Sequence, residues 1–172
     1  KTLTVLRRLD GNRRAVLLRF LKESNLIDAP NAVVDLQGGA LDECELELVD
    51  LQGCSIEGVS LRGAMLAQSL LSESNLSEVN FSQANLRSAD LRKSLLFRAN
   101  LSKVNMAGAD LRGADMRFAD LRGAELVEAN LESANLSQAD LSSANLNKAL
   151  ITKEQIASCR SVAGAMLPEI LN

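Results

Sequence analysis

The sequence predicts an all-β solenoid, a rod wound from one five-residue unit, with short α-helical caps at both ends. Three observations predict it. Every fifth residue from Leu36 to Ile151 is Leu, Ile, Met or Phe, without a break or an insertion. Two residues before each of these central positions stands a small residue, which from Ala84 onward is almost always Ala, with exceptions such as Ser94 and Val104. Between the two lies Asn or Asp in most units, so the unit reads Ala-Asn/Asp-Leu-x-x.

A period of five fits neither regular element. On an α-helix, steps of five advance about 140° past a full turn, so the leucines would spiral around the helix instead of forming a stripe. On a strand five is odd, so successive leucines would alternate faces. The consistent solution gives each unit its own corner. The small residue and the Leu, two apart, point inward as on a strand, and the next two residues turn the chain. Gly38, Gly53, Gly58, Gly63, Gly108, Gly113 and Gly123 all fall two after the central residue, where a turn calls for positive φ. Stacked coils then pair through backbone hydrogen bonds about 4.8 Å apart. The Asn/Asp column is suited to bonding backbone groups at the corners. Periodicity alone leaves open whether three, four or five units close a coil.

From about Ala32 to Lys153 the series resembles the pentapeptide-repeat family, and in its lack of His and Trp it is similar to the cyanobacterial members. The resemblance implies a right-handed quadrilateral β-helix with four units per coil. About six coils then make a rod on the order of 29 Å long. In the first units Gly39, Cys44, Glu45 and Cys54 replace the expected Ala or Asn, which predicts less regular coils there.

A solenoid exposes its last core layer unless it is capped. Residues 1–31 are read as an N-terminal helical cap, 32–151 as the repeat, and 152–172 as a C-terminal helical cap. Thr2–Leu9 carries Leu3, Leu6 and Leu9 at helical spacing, and Asp10-Gly11-Asn12 breaks it. Arg13–Glu23 resumes with Val16, Leu17, Phe20 and Leu21 on one face. Thr152-Lys153-Glu154-Gln155 has the spacing of a capping box and opens a helix through about Ser158. Val162–Leu171 is expected to fold back over the last coil.

Composition narrows the function. The chain has no His, the commonest general base and metal ligand. Trp and Tyr are absent too, so Leu and Ala must fill a narrow interior. The many Asp residues sit where Asn substitutes freely, which a metal or acid–base ladder does not tolerate. The Ser residues on outer positions have no base at an interpretable spacing. Cys44 and Cys54 take the small inward position and read as core, and ten residues apart in a four-sided coil they stand on opposite sides, with no disulfide suggested; Cys159 is uninformative. The sequence therefore predicts no catalytic residue, no enzyme, no cofactor and no metal. No run approaches the roughly 18 apolar residues of a membrane span, and no signal peptide is visible. A cytoplasmic protein is expected, with room left for a targeting or membrane segment ahead of Lys1.

The charges are unevenly spread. Between Lys22 and Arg62 lie Asp35, Asp42, Glu43, Glu45, Glu47, Asp50 and Glu57 with no cation. Later come Arg87, Arg92, Lys93, Arg98, Lys103, Arg112, Arg117 and Arg122. The rod should be acidic in its first coils and basic in the middle, with Arg7, Arg8, Arg13, Arg14 and Arg19 of the N-terminal helices balancing the acidic coils.

If four units close a coil, residues 20 apart stack. Phe97 then neighbours Arg117, and Arg98 neighbours Phe118, with Leu95 at an Asn/Asp position beside them and Arg92, Lys93 and Arg112 on the adjacent side. Exposed aromatics among arginines have the composition of an interaction hot spot. The plainer account is cross-coil packing of Phe against Arg. The function these readings favour is a non-catalytic protein–protein interaction or scaffold domain, monomeric or weakly dimeric, without direct nucleic-acid binding. The alternative, implied by the family, is a DNA mimic that inhibits or protects a DNA-binding enzyme such as gyrase; the mid-rod arginines argue against it.

Overall fold

The computed structural model describes residues 9–29 and 32–169. The repeat winds into a four-sided coil: from Ala40↔Ser60 to Asn130↔Leu150, a parallel bridge joins every fifth residue to the one twenty places on. Each side is a single bridge rather than a strand, because two of five residues turn the chain and only three remain extended.

The unit Asp110–Ala114 shows why the repeat holds this shape. Asp110 N donates to Ala89 O below (3.0 Å), and Leu111 N and Gly113 N donate to Asn130 O and Glu132 O above (2.8 and 3.0 Å). Ala114 N closes the corner on Leu111 O (3.0 Å). The fifth amide, Arg112 N, donates to Asp110 Oδ1 (3.2 Å). Every backbone donor of the unit is thus paired, as an interior peptide requires. The Asn/Asp column supplies the one acceptor that the stacked backbone cannot.

The second corner residue sits in the left-handed region throughout. The seven repeat glycines named above have φ between 64° and 72°, and residues such as Gln68, Lys93, Arg98 and Phe118 occupy the same place at φ 56–61°. The column between Gly38 and Lys148 holds no β-branched residue, which left-handed backbone tolerates worst. Inside, the central Leu residues and the Ala column are buried along the whole rod, and Phe81 is the largest side chain among them. Cys44 and Cys54 are fully buried and unbonded to each other.

The first coil is less regular on one side only. There Asp28 pairs antiparallel with Cys54, and Ser55 N donates to Ile27 O (2.7 Å), in place of a bridge from Asp35.

Helix α1 (Gly11–Glu23) is N-capped by Asp10, whose carboxylate accepts from Arg13 N at 2.9 Å. It lays Ala15, Leu18 and Leu21 into the core. The expected face of Val16, Leu17, Phe20 and Leu21 is corrected: Val16 and Phe20 point outward, more than half exposed, and Leu17 is half-buried. The helix runs against backbone at Glu43 and Cys44, within 4 Å of where a Gly11 Cβ would stand. So close an approach selects the face centred on small Ala15 and Leu18 over the bulkier one. The expected helix at Thr2–Leu9 lies outside the described residues except for Leu9.

Helix α2 (Lys153–Ser158) begins at the expected capping box. Thr152 Oγ1 accepts from Gln155 N (3.2 Å), and Gln155 Oε1 accepts from Thr152 N (2.9 Å). Gln155 Nε2 donates back to Leu131 O and Ala134 O (2.6 and 2.9 Å), tying α2 to the rod. The chain after it does not fold back over the last coil as expected. Ser161 and Met166 form parallel bridges with Asp140 and Asn145, so winding resumes. The offset is now 21 because α2 takes one extra residue to round its side. Ala165-Met166-Leu167 repeats the small-x-Leu pattern one residue out of phase, and Gly164 takes the corner at φ 70°.

Candidate protein-interaction face

Four sides run along the rod. On one, the central residues of the second to sixth coils are Ile56, Leu76, Leu96, Met116 and Leu136. This Leu96 side gathers the aromatic residues singled out in the sequence. The rings of Phe97 and Phe118 meet edge to face, with centroids 5.7 Å apart and planes at 80°. The guanidiniums of Arg98 and Arg117 lie over the Phe97 ring at 5.0 and 5.6 Å. Phe97 is half-buried by these neighbours, whereas Phe118 is 53% and Leu95 46% exposed. Leu95 is bridged to Asn75 below and Asp115 above, so its backbone keeps the repeat while its side chain abandons the Asx bond.

Arg92, Lys93 and Arg112 stand on the neighbouring side, separate from the two rings. They border a shallow cleft with Gln52, Ser72 and Glu73. Their surroundings are less bare of acids than the sequence suggested. Arg92, Arg112, Arg117 and Arg122 each fold back on the Asp two residues earlier, with Nη2 2.6–2.7 Å from the carboxylate. These are two-pronged pairs, since Nε also donates, at 2.8–2.9 Å. Hydrogen bonds from the arginines, ahead of the backbone amides, hold Asp90, Asp110, Asp115 and Asp120 below the usual carboxylate range. The signal was in the sequence as Asp-Leu-Arg and Asp-Met-Arg, and was missed because the two residues were counted in different columns. Lys93 and Arg98 reach down one coil to Glu73 (3.7 Å) and Glu78 (3.9 Å). The middle of the rod remains net positive, with eight cations against four aspartates between Val79 and Ala124. From Ser24 to Glu78 ten carboxylates face one cation, Arg62.

The N-terminal basic residues do lie beside acidic coils. Arg19 borders one cleft with Glu45 and Glu47 and another with Asp50. Lys22 Nζ donates to Asp28 Oδ1 and Gln52 O, both at 2.7 Å. Arg13 pairs with Asp10 instead, and Arg7 and Arg8 fall outside the described residues. Val16 and Phe20 form a second exposed apolar pair on the outer face of α1, which sequence reasoning had assigned to the core.

Burial pushes the thiols of Cys44, Cys54 and Cys159 up to about 11, so none is poised as a nucleophile. Among the described residues no three His, Cys, Asp or Glu side chains converge as metal ligands do, and no helix is long and apolar enough to cross a membrane.

Comparison with known proteins agrees with this geometry. The family model for pentapeptide repeats matches in eight copies over segments that run from residue 34 to 152. No curated protein matches the sequence. Among solved structures, the chain is similar to the pentapeptide repeat protein Rfr23 from the cyanobacterium Cyanothece 51142, at 26% identity over 69% of this chain and 90% of that one, with a TM-score of 0.54. It is also similar to HetL, a pentapeptide repeat protein involved in heterocyst differentiation regulation in Nostoc sp. PCC 7120, at 26% identity over 78% of this chain and 81% of that one, with a TM-score of 0.34. QnrB1, a plasmid-mediated fluoroquinolone resistance protein, matches at 14% identity over 80% of this chain and 84% of that one, with a TM-score of 0.47. With a two-position signature in register along the rod and a family match over more than two thirds of its length, the chain belongs to the pentapeptide repeat family.

Proposed function

We propose that this protein is a non-catalytic protein-interaction scaffold whose contact surface is the Leu96 side at the fourth and fifth coils. The observation that supports it most is Leu95. At this position an Asn or Asp would cap the amide of residue 97, and the chain instead exposes an apolar side chain beside two phenyl rings. A hot spot needs such an aromatic and arginine cluster surrounded by near-neutral contacts. The polar flanks supply the surround, with Ser77 and Asn75 below and Ser137 and Asn135 above. The two helices and the resumed winding after α2 serve as end caps, for which the supporting observations are the buried Ala15, Leu18 and Leu21 and the Gln155 bonds.

Replacing both rings, Phe97→Ala with Phe118→Ala, should lower the melting temperature by only a few degrees. The pair adds about 0.5–1.5 kcal/mol beyond its area, and neither ring is in the core. Affinity capture from the native host should lose its partner. A large loss of stability with capture unchanged sinks the proposal. A DNA-mimic role draws support only from the carboxylates of the first three coils, and the cationic belt interrupts that acidic surface. Inhibition or protection in a gyrase supercoiling assay would favour it.

A further inference from the structure

We infer that the Leu96 side also binds a second copy of this chain, in an antiparallel, two-fold, side-to-side dimer. The inference rests on the interaction reading above and names one partner for that surface.

The basis is the order of charges along this side. Apart from Asp115 of the fifth coil, which is forked by Arg117, its outward acids lie low on the rod, with Glu57 in the second coil and Glu78 in the third. Its cations lie high, with Arg98 in the fourth and Arg117 in the fifth. The neighbouring corner repeats the order, with Glu73 in the third coil and Lys93 in the fourth. A two-fold axis across the face, between the third and fourth coils, reverses coil order and keeps each column opposite itself. Fourth-coil residues then meet third-coil residues of the other copy, and fifth meet second. Arg98 falls opposite Glu78, Arg117 opposite Glu57, and Lys93 opposite Glu73, each twice by symmetry. Phe118 falls opposite Gly58, across which the Gln37 side chain lies. A parallel arrangement would instead set the cationic belt of one copy on that of the other.

The central pair is available, while Arg117 comes to the contact already forked onto Asp115 and Glu57 already accepts from Asn75 Nδ2. Arg98 and Glu78 are 61% and 48% exposed and only 3.9 Å apart within one copy, too long for a hydrogen bond, so each retains capacity for a partner. Across the two-fold the Arg98–Glu78 and Lys93–Glu73 pairs close into four-charge clusters of alternating sign.

The contact is small. Four coils at about 4.8 Å by three extended residues at about 3.3 Å make a face of about 200 Å², well below the roughly 800 Å² per partner of a stable complex. The dimer should therefore be weak and salt-sensitive.

Sedimentation velocity from about 10 µM to about 1 mM, the range in which so small an interface associates, tests it. At low salt the chain should dimerise, and Arg98→Glu or Glu78→Arg alone should weaken the dimer at least tenfold by placing like charges opposite each other twice. An equimolar mixture of the two variants should dimerise again, because each pair is restored with one site reversed. Both residues are exposed, so matching melting temperatures confirm that the variants fold. A monomer at every concentration overturns the inference. So does a mixture no more dimeric than either variant, or a dimer that ignores Glu78 but fails with Phe97→Ala. Loss of partner capture in the double Phe variant is a separate result: it can stand with no dimer, and a complementing dimer can stand without it.

Discussion

The unit Asp110–Ala114 and the unit Leu95–Ala99 are wound alike and differ on the outside. In both, four amides make the same bonds: Leu95 N to Ser74 O, Leu96 N to Asp115 O, Arg98 N to Arg117 O and Ala99 N to Leu96 O, all at 2.8–3.0 Å. Only the fifth differs. Arg112 N has the Asp110 carboxylate, and Phe97 N has a leucine in that place. The first unit folds its Arg onto its own Asp, and the second exposes Leu95 and shares its Phe with the coil above. The comparison teaches that inward side chains and the ladder carry the winding. The outward columns are then free to depart wherever another pressure acts.

The sharpest way to break this comparison lies within one dipeptide. Leu95 and Leu96 are consecutive, one outward and one fully buried. Leu96→Ala should cost about 3 kcal/mol, the usual loss for a buried leucine whose cavity cannot collapse, whereas Leu95→Ala should change stability by less than about 0.5 kcal/mol. Because each coil touches only its neighbours, the Leu96→Ala chain should also unfold over a broader transition in urea. Equal effects at the two positions would show that the outward side of this unit is structural after all.

Acid separates the two kinds of unit less strongly. Hydrogen bonds hold the folded pKa of Asp90, Asp110, Asp115 and Asp120 below their ordinary range. Asp140 lies lower still, at about 2, through the Ser142 hydroxyl first and then the Ser142 amide and Arg160. A depressed carboxylate stabilises the fold above its unfolded pKa, and that stability is lost as pH falls through the folded value. Melting temperature should therefore drop between about pH 4 and pH 2. Asp110→Asn with Asp115→Asn should flatten the profile while keeping the amide caps through Oδ1. The Leu95 unit has no carboxyl of its own in that column and contributes nothing. A profile unchanged by the double variant would mean that the Asp–Arg forks add no stability.

Much of this was legible in the sequence because a period of five has few physical solutions. The inward columns, the positive-φ corner and the stacking of Phe97 with Arg117 all follow from counting by five and twenty. Two kinds of feature did not. Apolar residues on a helix do not announce which stripe faces the rod, so Val16 and Phe20 were placed inward when close backbone approach favoured Ala15. A one-residue phase shift after α2 hides a resumed repeat from any fixed count, although Ala165-Met166-Leu167 keeps its pattern. The Asp–Arg forks were visible as residues two apart. They needed the corner geometry to be recognised as partners.

The smallest change is the most discriminating. Leu95→Asn restores the repeat: the new Oδ1 can accept from Phe97 N as Asn75 accepts from Ser77 N at 3.2 Å. A net hydrogen bond of this kind is worth about 1 kcal/mol, and an exposed leucine loses little by leaving. Leu95→Asn should therefore raise the melting temperature by a few degrees and slow exchange of the Phe97 amide, both measurable on the purified chain. If the apolar surface at this unit serves binding, the same substitution should weaken partner capture, so that stability and function move in opposite directions. A chain that gains stability and binds as before would remove Leu95 from the interaction face and leave the two phenylalanines to carry it alone.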